Sequence, residues 1–539
     1  IRFPEKVPII LVGENNAGKS NIVRALEIIL GETWPGSKEP EDHDFWNRNP
    51  DNVPIEITCE FEGFLVSGKQ VEKLLWTYNS SEKDEKCKFR AIIGGKEQYV
   101  SNEMRDQCIC IVVGADRRLS YHLSYTSKYT LLSKLMRKFH SHLIKDRNKV
   151  DQLKQKFDEV KSIFEQVKEF SDFQSELSRQ FEEVFAGMTY GLQVDFSAYD
   201  PTRYFHSLRL LPEENGMVRT FEELGSGQEQ LLALTFAYAY AKAFFGGIIL
   251  VIEEPEAHLH PLAQQWLARR IRKMAEDGLQ IVITTHSPTF VDILGLEGLV
   301  LVFKVDNITK VKQLTAEDLA RYCCEHEAHP QRTQANTVLS FYAAHATQEI
   351  LSGFFARKII LVEGQTEAFA LPIYLNKVGL DVTKEGIAVI PVMGKGNLAK
   401  WWRLFTAYGI PVFLMFDNDS SDDYDGNKRR DALRTIGIKD DKNLTQILSI
   451  EDWQIEEHYC IFGKDFERTM RKYFSDYSNL EEQAKNEVGE SKPLVARYVA
   501  EHLMFDSKDK GWKKWKELAD KIRRLKLNRS LHPKCIATT

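Results

Sequence analysis

Residues 13–20 read Gly-Glu-Asn-Asn-Ala-Gly-Lys-Ser, set between the apolar run Ile9–Val12 and a helical stretch over 21–30. A G-x-x-x-x-G-K-[ST] loop in that strand–loop–helix setting commits a chain to an α/β sheet with a phosphate-binding turn at its carboxyl edge. Gly13 and Gly18 let backbone N–H groups crowd round phosphate oxygens, and Asn15 and Asn16 complete the cradle. The helix start adds its positive dipole end. Lys19 is expected to reach the β- and γ-phosphates and Ser20 to hold Mg²⁺.

One such unit does not fill the chain. At 539 residues, and roughly 100–200 residues per domain, two to four domains are expected. The composition, 43% apolar and 28% charged, excludes a disordered or fibrous chain. No apolar run is long enough for a membrane span. The chain opens at Ile1 without a start Met, so its natural N-terminus is expected to be missing. Eight Cys are sparse in this length and none forms a CxxC pair; reduced thiols and a cytoplasmic location are expected. A net charge of −6 speaks against blanket nucleic-acid binding and leaves room for a local basic strip.

Two more strand-like runs lie downstream, 248–252 and 279–284. The first ends in Glu253-Glu254-Pro255-Glu256: Glu253 can hold the Mg²⁺ shell and Glu254 can polarise an attacking water. His286, past the second run, can sense the γ-phosphate. Leu224-Gly225-Ser226-Gly227-Gln228 is a Gly/Ser turn opening a helix. In this order the motifs resemble the ABC-type ATPase head of SMC and RecF-like proteins. That resemblance implies two heads sandwiching ATP, with Ser226 and Gly227 reaching the partner's nucleotide. The chain departs from it with LGSGQ in place of LSGGQ and Glu253 in place of Asp. Residues 129–185 are polar, and Val150, Leu153, Phe157, Val160, Phe164 and Val167 follow helical a/d spacing. They are either a hairpin packed on its own domain or a dimerisation arm. The His/Gln-rich text at 320–350 reads as a linker.

A second α/β unit starts at Lys358–Val362, which runs into Glu363-Gly364-Gln365-Thr366-Glu367. About fifty residues on, the run 411–416 ends in Asp417-Asn418-Asp419. Acids gathered at strand ends are costly without cations, and all-oxygen ligands favour Mg²⁺ or Mn²⁺. E-G-x-x-E followed by D-x-D resembles the Toprim domain of topoisomerases, DnaG-type primases and certain nucleases. The resemblance implies Glu363, Glu367, Asp417 and Asp419 as metal ligands, Glu457 as a further carboxylate, and Lys492 near the scissile phosphate. Lys395, in Gly394-Lys395-Gly396-Asn397, either approaches a DNA backbone or sits in a turn. Residues 508–529 carry ten Lys/Arg against three Asp/Glu. Within them Lys513, Lys514 and Lys516 interleave with Trp512 and Trp515, which can stack on bases or pack in a core.

ATPase head followed by Toprim resembles the OLD (overcoming lysogenization defect) family of ATP-dependent endonucleases, standalone class. The expected fold is α/β: an ABC-type P-loop ATPase domain over 1–345, with the helical dimerisation arm at 129–185 inserted. A Rossmann-like Toprim nuclease domain follows over 355–539, helical and basic over 455–539. Membership implies ATP with one Mg²⁺, two ions in the Toprim site, a DNA substrate cut or nicked, and a homodimer or higher homo-oligomer. It also implies roles in phage defence or DNA repair, no membrane, and a helicase-like partner if the chain is of the paired class. The rival reading is a clamp-like ATPase that bridges DNA without cleaving it. Primase and topoisomerase chemistry fit poorly, for want of a four-cysteine zinc spacing and a tyrosine domain.

Overall fold

In the computed structural model the apolar run ahead of the phosphate loop is strand β1 (Ile9–Val12), buried along its whole length. The structure describes residues 1–114, 143–184 and 247–526, apart from 32, 38, 51, 52, 83, 84, 421 and 422, with isolated positions between 139 and 239. It divides into two units, Ile1–Glu27 with Ile249–Thr539, and Ile28–Ile248.

The first unit holds two sheets. In one, β1 lies between β3 (Gln280–Thr284) and β4 (Leu299–Val305), parallel to both, with Ile10 opposite Ile283 and Leu11 opposite Val300. Strand β2 (Gly247–Glu253) pairs with β3 in parallel, and β5 (Ile308–Gln313) closes the β4 side antiparallel. These strands are near-continuous Ile/Leu/Val runs because helices cover parallel sheets on both faces. Helix α1 (Lys19–Leu30) follows the phosphate loop, and α2 (Pro261–Glu276) links β2 to β3 with Pro261 at its first turn.

The other sheet runs β7–β6–β8–β10–β9, where β6 is Lys358–Val362, β7 Ile387–Pro391, β8 Val412–Asp417, β9 Gln454–Ile455 and β10 Tyr459–Phe462. Strands β6, β7, β8 and β10 are parallel and β9 is antiparallel to β10. Helices α3 (Gln365–Lys377) and α4 (Lys395–Ala407) start at the carboxyl edge. Among the helices that follow are α5 (Asn427–Thr435), α6 (Phe466–Tyr473), α7 (Lys492–His502) and α8 (Lys510–Arg524). The expected helical texture beyond 455 is present. Trp515 settles one open choice: it is fully buried, with its ring 4.8 Å from that of Tyr374, so it packs a core and stacks on no base.

The segment read as a linker is folded instead. Helices Ala316–Glu325, Ala335–His345 and Gln348–Leu351 span it. Thr315 and Asp318 cap the first reciprocally, and Tyr342 is buried with its hydroxyl donating to the Lys400 carbonyl at 2.8 Å. A polar surface hid an amphipathic face.

In the second unit the strands Ile55–Glu60, Lys69–Tyr78, Cys87–Ile93 and Lys96–Tyr99 form an antiparallel meander. Helices Arg147–Glu165 and Lys168–Val184 stand where the helical insert was expected. Val150, Leu153 and Phe157 are half-buried there, while Val160 and Val167 are exposed.

Candidate active sites

The phosphate loop is held open by backbone geometry that needs its residue types. Gly13 has φ +135°, and a Cβ there would meet the Val302 carbonyl oxygen at 2.1 Å. At Gly18 (φ +109°) a Cβ would collide with the Thr309 side chain, whose hydroxyl donates to the Ala17 carbonyl at 3.0 Å. Asn16 adopts φ +62°, a conformation Asn tolerates. Lys19 is buried and donates to the Gly13 and Glu14 carbonyls at 2.9 Å each. Burial lowers its pKa, against the opposing pull of Glu254, Glu256 and Glu14.

The acidic turn after β2 faces this lysine. Glu254 sits at φ +48°, its amide donating to the Thr284 carbonyl at 2.9 Å, and its Oε1 lies 3.8 Å from His286 Nε2. Glu256 was not singled out from sequence, yet it fixes the turn that carries His286. Its oxygens accept from the His286 amide (2.6 Å) and the Thr285 hydroxyl (2.8 Å). Burial first, then Lys19, lowers the His286 pKa. Ser226 and Gly227 lie outside the described residues.

At the second sheet's carboxyl edge, β6 delivers Glu363 and β8 delivers Asp417, while Glu367 sits on the first turn of α3 with Oε2 accepting from the Gly364 amide at 3.1 Å. Burial raises all three carboxyls. Glu367 is lifted to about 7, with Glu363 and Glu467 adding to the effect. Asp417 rises well above its ordinary value, through burial and then the charges of Glu367, Glu363 and Glu467. For Glu363, burial and Asp419 outweigh the Lys395 charge. Glu363 Oε2 and Asp417 Oδ1 are buried without a hydrogen-bond partner. Such orphaned carboxylate oxygens fit a hard divalent cation. Among the described residues no three His, Cys, Asp or Glu side chains enclose an ion as they stand; a lysine stands among them instead.

The family described as "Overcoming lysogenization defect protein-like, TOPRIM domain" matches residues 354–419. The family described as "AAA ATPase domain" matches residues 1–209 and 115–291. The chain belongs to the AAA ATPase domain family and carries an OLD-like Toprim domain. A protein named "OLD nuclease" from Thermus scotoductus is 27% identical over 76% of this chain and 77% of its own. The "Old nuclease" of Escherichia phage P2 is 24% identical over 41% of this chain and 38% of its own. A solved Smc head domain with an extended coiled coil from Pyrococcus furiosus shares 16% identity at a TM-score of 0.37, covering 61% of this chain and 95% of that one.

In this ATPase–Toprim chain the geometry corrects two site expectations. Lys395 is no surface contact for DNA. Its side chain is 1% exposed, 3.0 Å from Asp419 Oδ2 and 3.6 Å from Glu363 Oε2. Glu457 is no partner of the acids. It lies in the β9–β10 turn, at the amino end of β10, whereas Asp417 ends the neighbouring parallel strand; there it pairs with Lys521. After β10 come Asp465, which caps α6, and Glu467 on its first turn, and it is Glu467 whose charge acts on Asp417 and Glu367.

The remaining basic candidates diverge. Lys492 is exposed at the first position of α7, and among the described residues it pairs with none of the acids. Lys513 is exposed; Lys514 lies 3.7 Å from Glu517; Lys516 donates to the Val378 carbonyl at 3.3 Å. Among the described residues no helix is long and apolar enough to cross a membrane.

Proposed function

We propose that this chain is an ATP-driven DNA endonuclease or nickase that depends on divalent metal. The observation that carries the reading is the acid edge itself, where Asp417 Oδ1 has no hydrogen-bond partner and Glu363 Oε2 faces only Lys395, at 3.6 Å. Glu363, Glu367, Asp417 and Asp419 would hold Mg²⁺ or Mn²⁺, with Glu467 beside them in place of Glu457. A divalent cation bound there acidifies water and stabilises the leaving oxygen of a phosphodiester. Glu367 is buried, and the lowered local dielectric there strengthens charge interactions at the edge, while Glu363 and Asp419 keep 22% and 26% of their side chains open to substrate.

In the nucleotide site, Lys19, Ser20, Glu253 and the phosphate-loop amides would bind ATP with Mg²⁺, and Glu254 would take the proton of the attacking water. His286 is aimed by Glu256. Two copies of the chain would join through Ser226 and Gly227 and through the helical insert. Lys492 and Lys513 would meet the DNA backbone. We place the chain in the cytoplasm, in phage defence or repair, as a standalone nuclease. The rival reading, a clamp that holds DNA uncut, gains support from the lysine lodged among the acids.

A supercoiled-plasmid assay with Mg²⁺ or Mn²⁺, with and without ATP, tests the proposal. Nicked product from the parent and none from Asp417→Asn are expected. ATP-sensitive DNA binding with intact plasmid under every metal condition would leave only the clamp.

A further inference from the structure

Lys395 is among the most deeply buried charged side chains of the first unit, and its surroundings are built to keep it there. Met393 and Gly394 ahead of it have φ +56° and +113°. The Gly394 amide donates to the Glu363 carbonyl at 2.9 Å, and Asn397 Nδ2 donates to the Val392 carbonyl at 2.9 Å. This left-handed turn is fastened to the end of β6; it leaves Met393 58% exposed and carries the next charged residue inward. The Lys395 ammonium donates to the Asp419 main-chain carbonyl (3.2 Å) besides facing the carboxylates of Asp419 and Glu363. The Asp419 loop is fixed from the other side. Arg429 donates to the Asn418 carbonyl and side chain and pairs with buried Asp423 at 2.9 Å. A buried ammonium survives only when its charge is matched, and here two acids match it.

We infer that Lys395 is a built-in cation of the acid edge, holding the position between Glu363 and Asp419 so that the resting protein takes one divalent ion there rather than two. The inference rests on the metal-site reading above and refines it. Glu367 and Asp417 have no ammonium facing them among the described residues, so the divalent ion belongs on their side, with Glu363 Oε2 shared between the two cations. Methionine at 395 has a similar length and no charge, and so removes the cation from the second position. Arginine keeps the charge.

Counting Mn²⁺ bound by the nucleotide-free, chelator-stripped full chain, by electron paramagnetic resonance of the free ion, tests this. Asp417→Asn serves as the background. One Asp417-dependent ion in the parent, a second gained in Lys395→Met, and one in Lys395→Arg are expected. Two Asp417-dependent ions in the parent overturn the inference and leave the nuclease reading standing. An unchanged count in folded Lys395→Met also overturns it. No Asp417-dependent ion at all sinks the metal-site reading itself. If Lys395→Met does not fold, the parent count and Lys395→Arg still decide.

Discussion

Arg357 Nε lies 3.0 Å from both carboxylate oxygens of Glu14. Glu14 belongs to the phosphate loop, and its carbonyl accepts from Lys19. Arg357 immediately precedes β6, and its amide donates to the Gly386 carbonyl at 2.8 Å. Its stem lies 3.1 Å from where a Gly386 Cβ would stand. A run of direct contacts thus joins Lys19 to the strand that precedes Glu363.

The pair is well exposed, at 64% and 36%, so its contribution to stability is small. A double-mutant cycle with Arg357→Ala and Glu14→Ala, read by urea unfolding, should give a coupling of about 0.2–1 kcal/mol. The coupling should fade at about 1 M salt, where the Debye length is near 3 Å. A salt-independent coupling would show that packing on Gly386, and not charge, holds the contact.

Glu254→Gln keeps the size of the side chain and removes its basicity. ATP binding should persist while hydrolysis falls by about 10²-fold or more. Lys19→Ala should lose binding itself. Hydrolysis unchanged in Glu254→Gln would move the base elsewhere, with Glu256 the next residue to substitute.

Burial lifts Glu367 to about 7 from an ordinary 4.5, so the metal-free folded chain retains a proton that the unfolded chain gives up. Stability from this source is intact below about pH 4.5 and is lost as pH rises through about 7. In chelator-treated protein at pH 8, Glu367→Gln should therefore be more stable than the parent by on the order of 2 kcal/mol. The glutamine oxygen can still accept from the Gly364 amide. Thermal melts at pH 5 and pH 8 measure the difference; equal gains at both would mean that the proton is not the cause.

Trp515 and Lys513 are neighbours on α8 with opposite expected effects. Trp515→Ala empties a fully buried site and should cost about 3–5 kcal/mol of stability. Lys513→Ala, at an exposed site, should leave unfolding unchanged within about 0.5 kcal/mol. If Lys513 meets a phosphate, the salt dependence of DNA binding should flatten by about one contact. An unchanged salt slope would remove Lys513 from the interface.

What could be read from the sequence was what sits in one contiguous strand–loop–helix. The phosphate loop, the acidic turn after β2, Glu363 with Glu367, and Asp417 with Asp419 all have that form. Glu256 escaped because its role depends on two hydrogen bonds to residues thirty positions away. Glu467 escaped because only the register, with Asp417 opposite Phe462, shows that the segment after β10 shares the edge. Glu457 cannot take that place because β10 runs away from it towards Phe462 and the edge, and strand direction is not legible in Ile455-Glu456-Glu457-His458-Tyr459. Lys395 looked like a loop residue because Gly-Lys-Gly text says nothing of side-chain direction; the left-handed turn at Met393 decides that. The 320–350 helices were hidden by a polar exterior: each turns only a short face inward, Leu319, Tyr322 and Cys323 on one and Val338 and Tyr342 on the other.

Strand β1 has both its sheet neighbours, β3 and β4, more than 260 residues further along the chain. During synthesis it must therefore leave the ribosome and wait, an apolar ribbon with two open edges, until residue 305 is out. Pairing of such long range is slow, and an unpaired hydrophobic strand is a template for aggregation. The phosphate loop is consequently made long before it can acquire its shape.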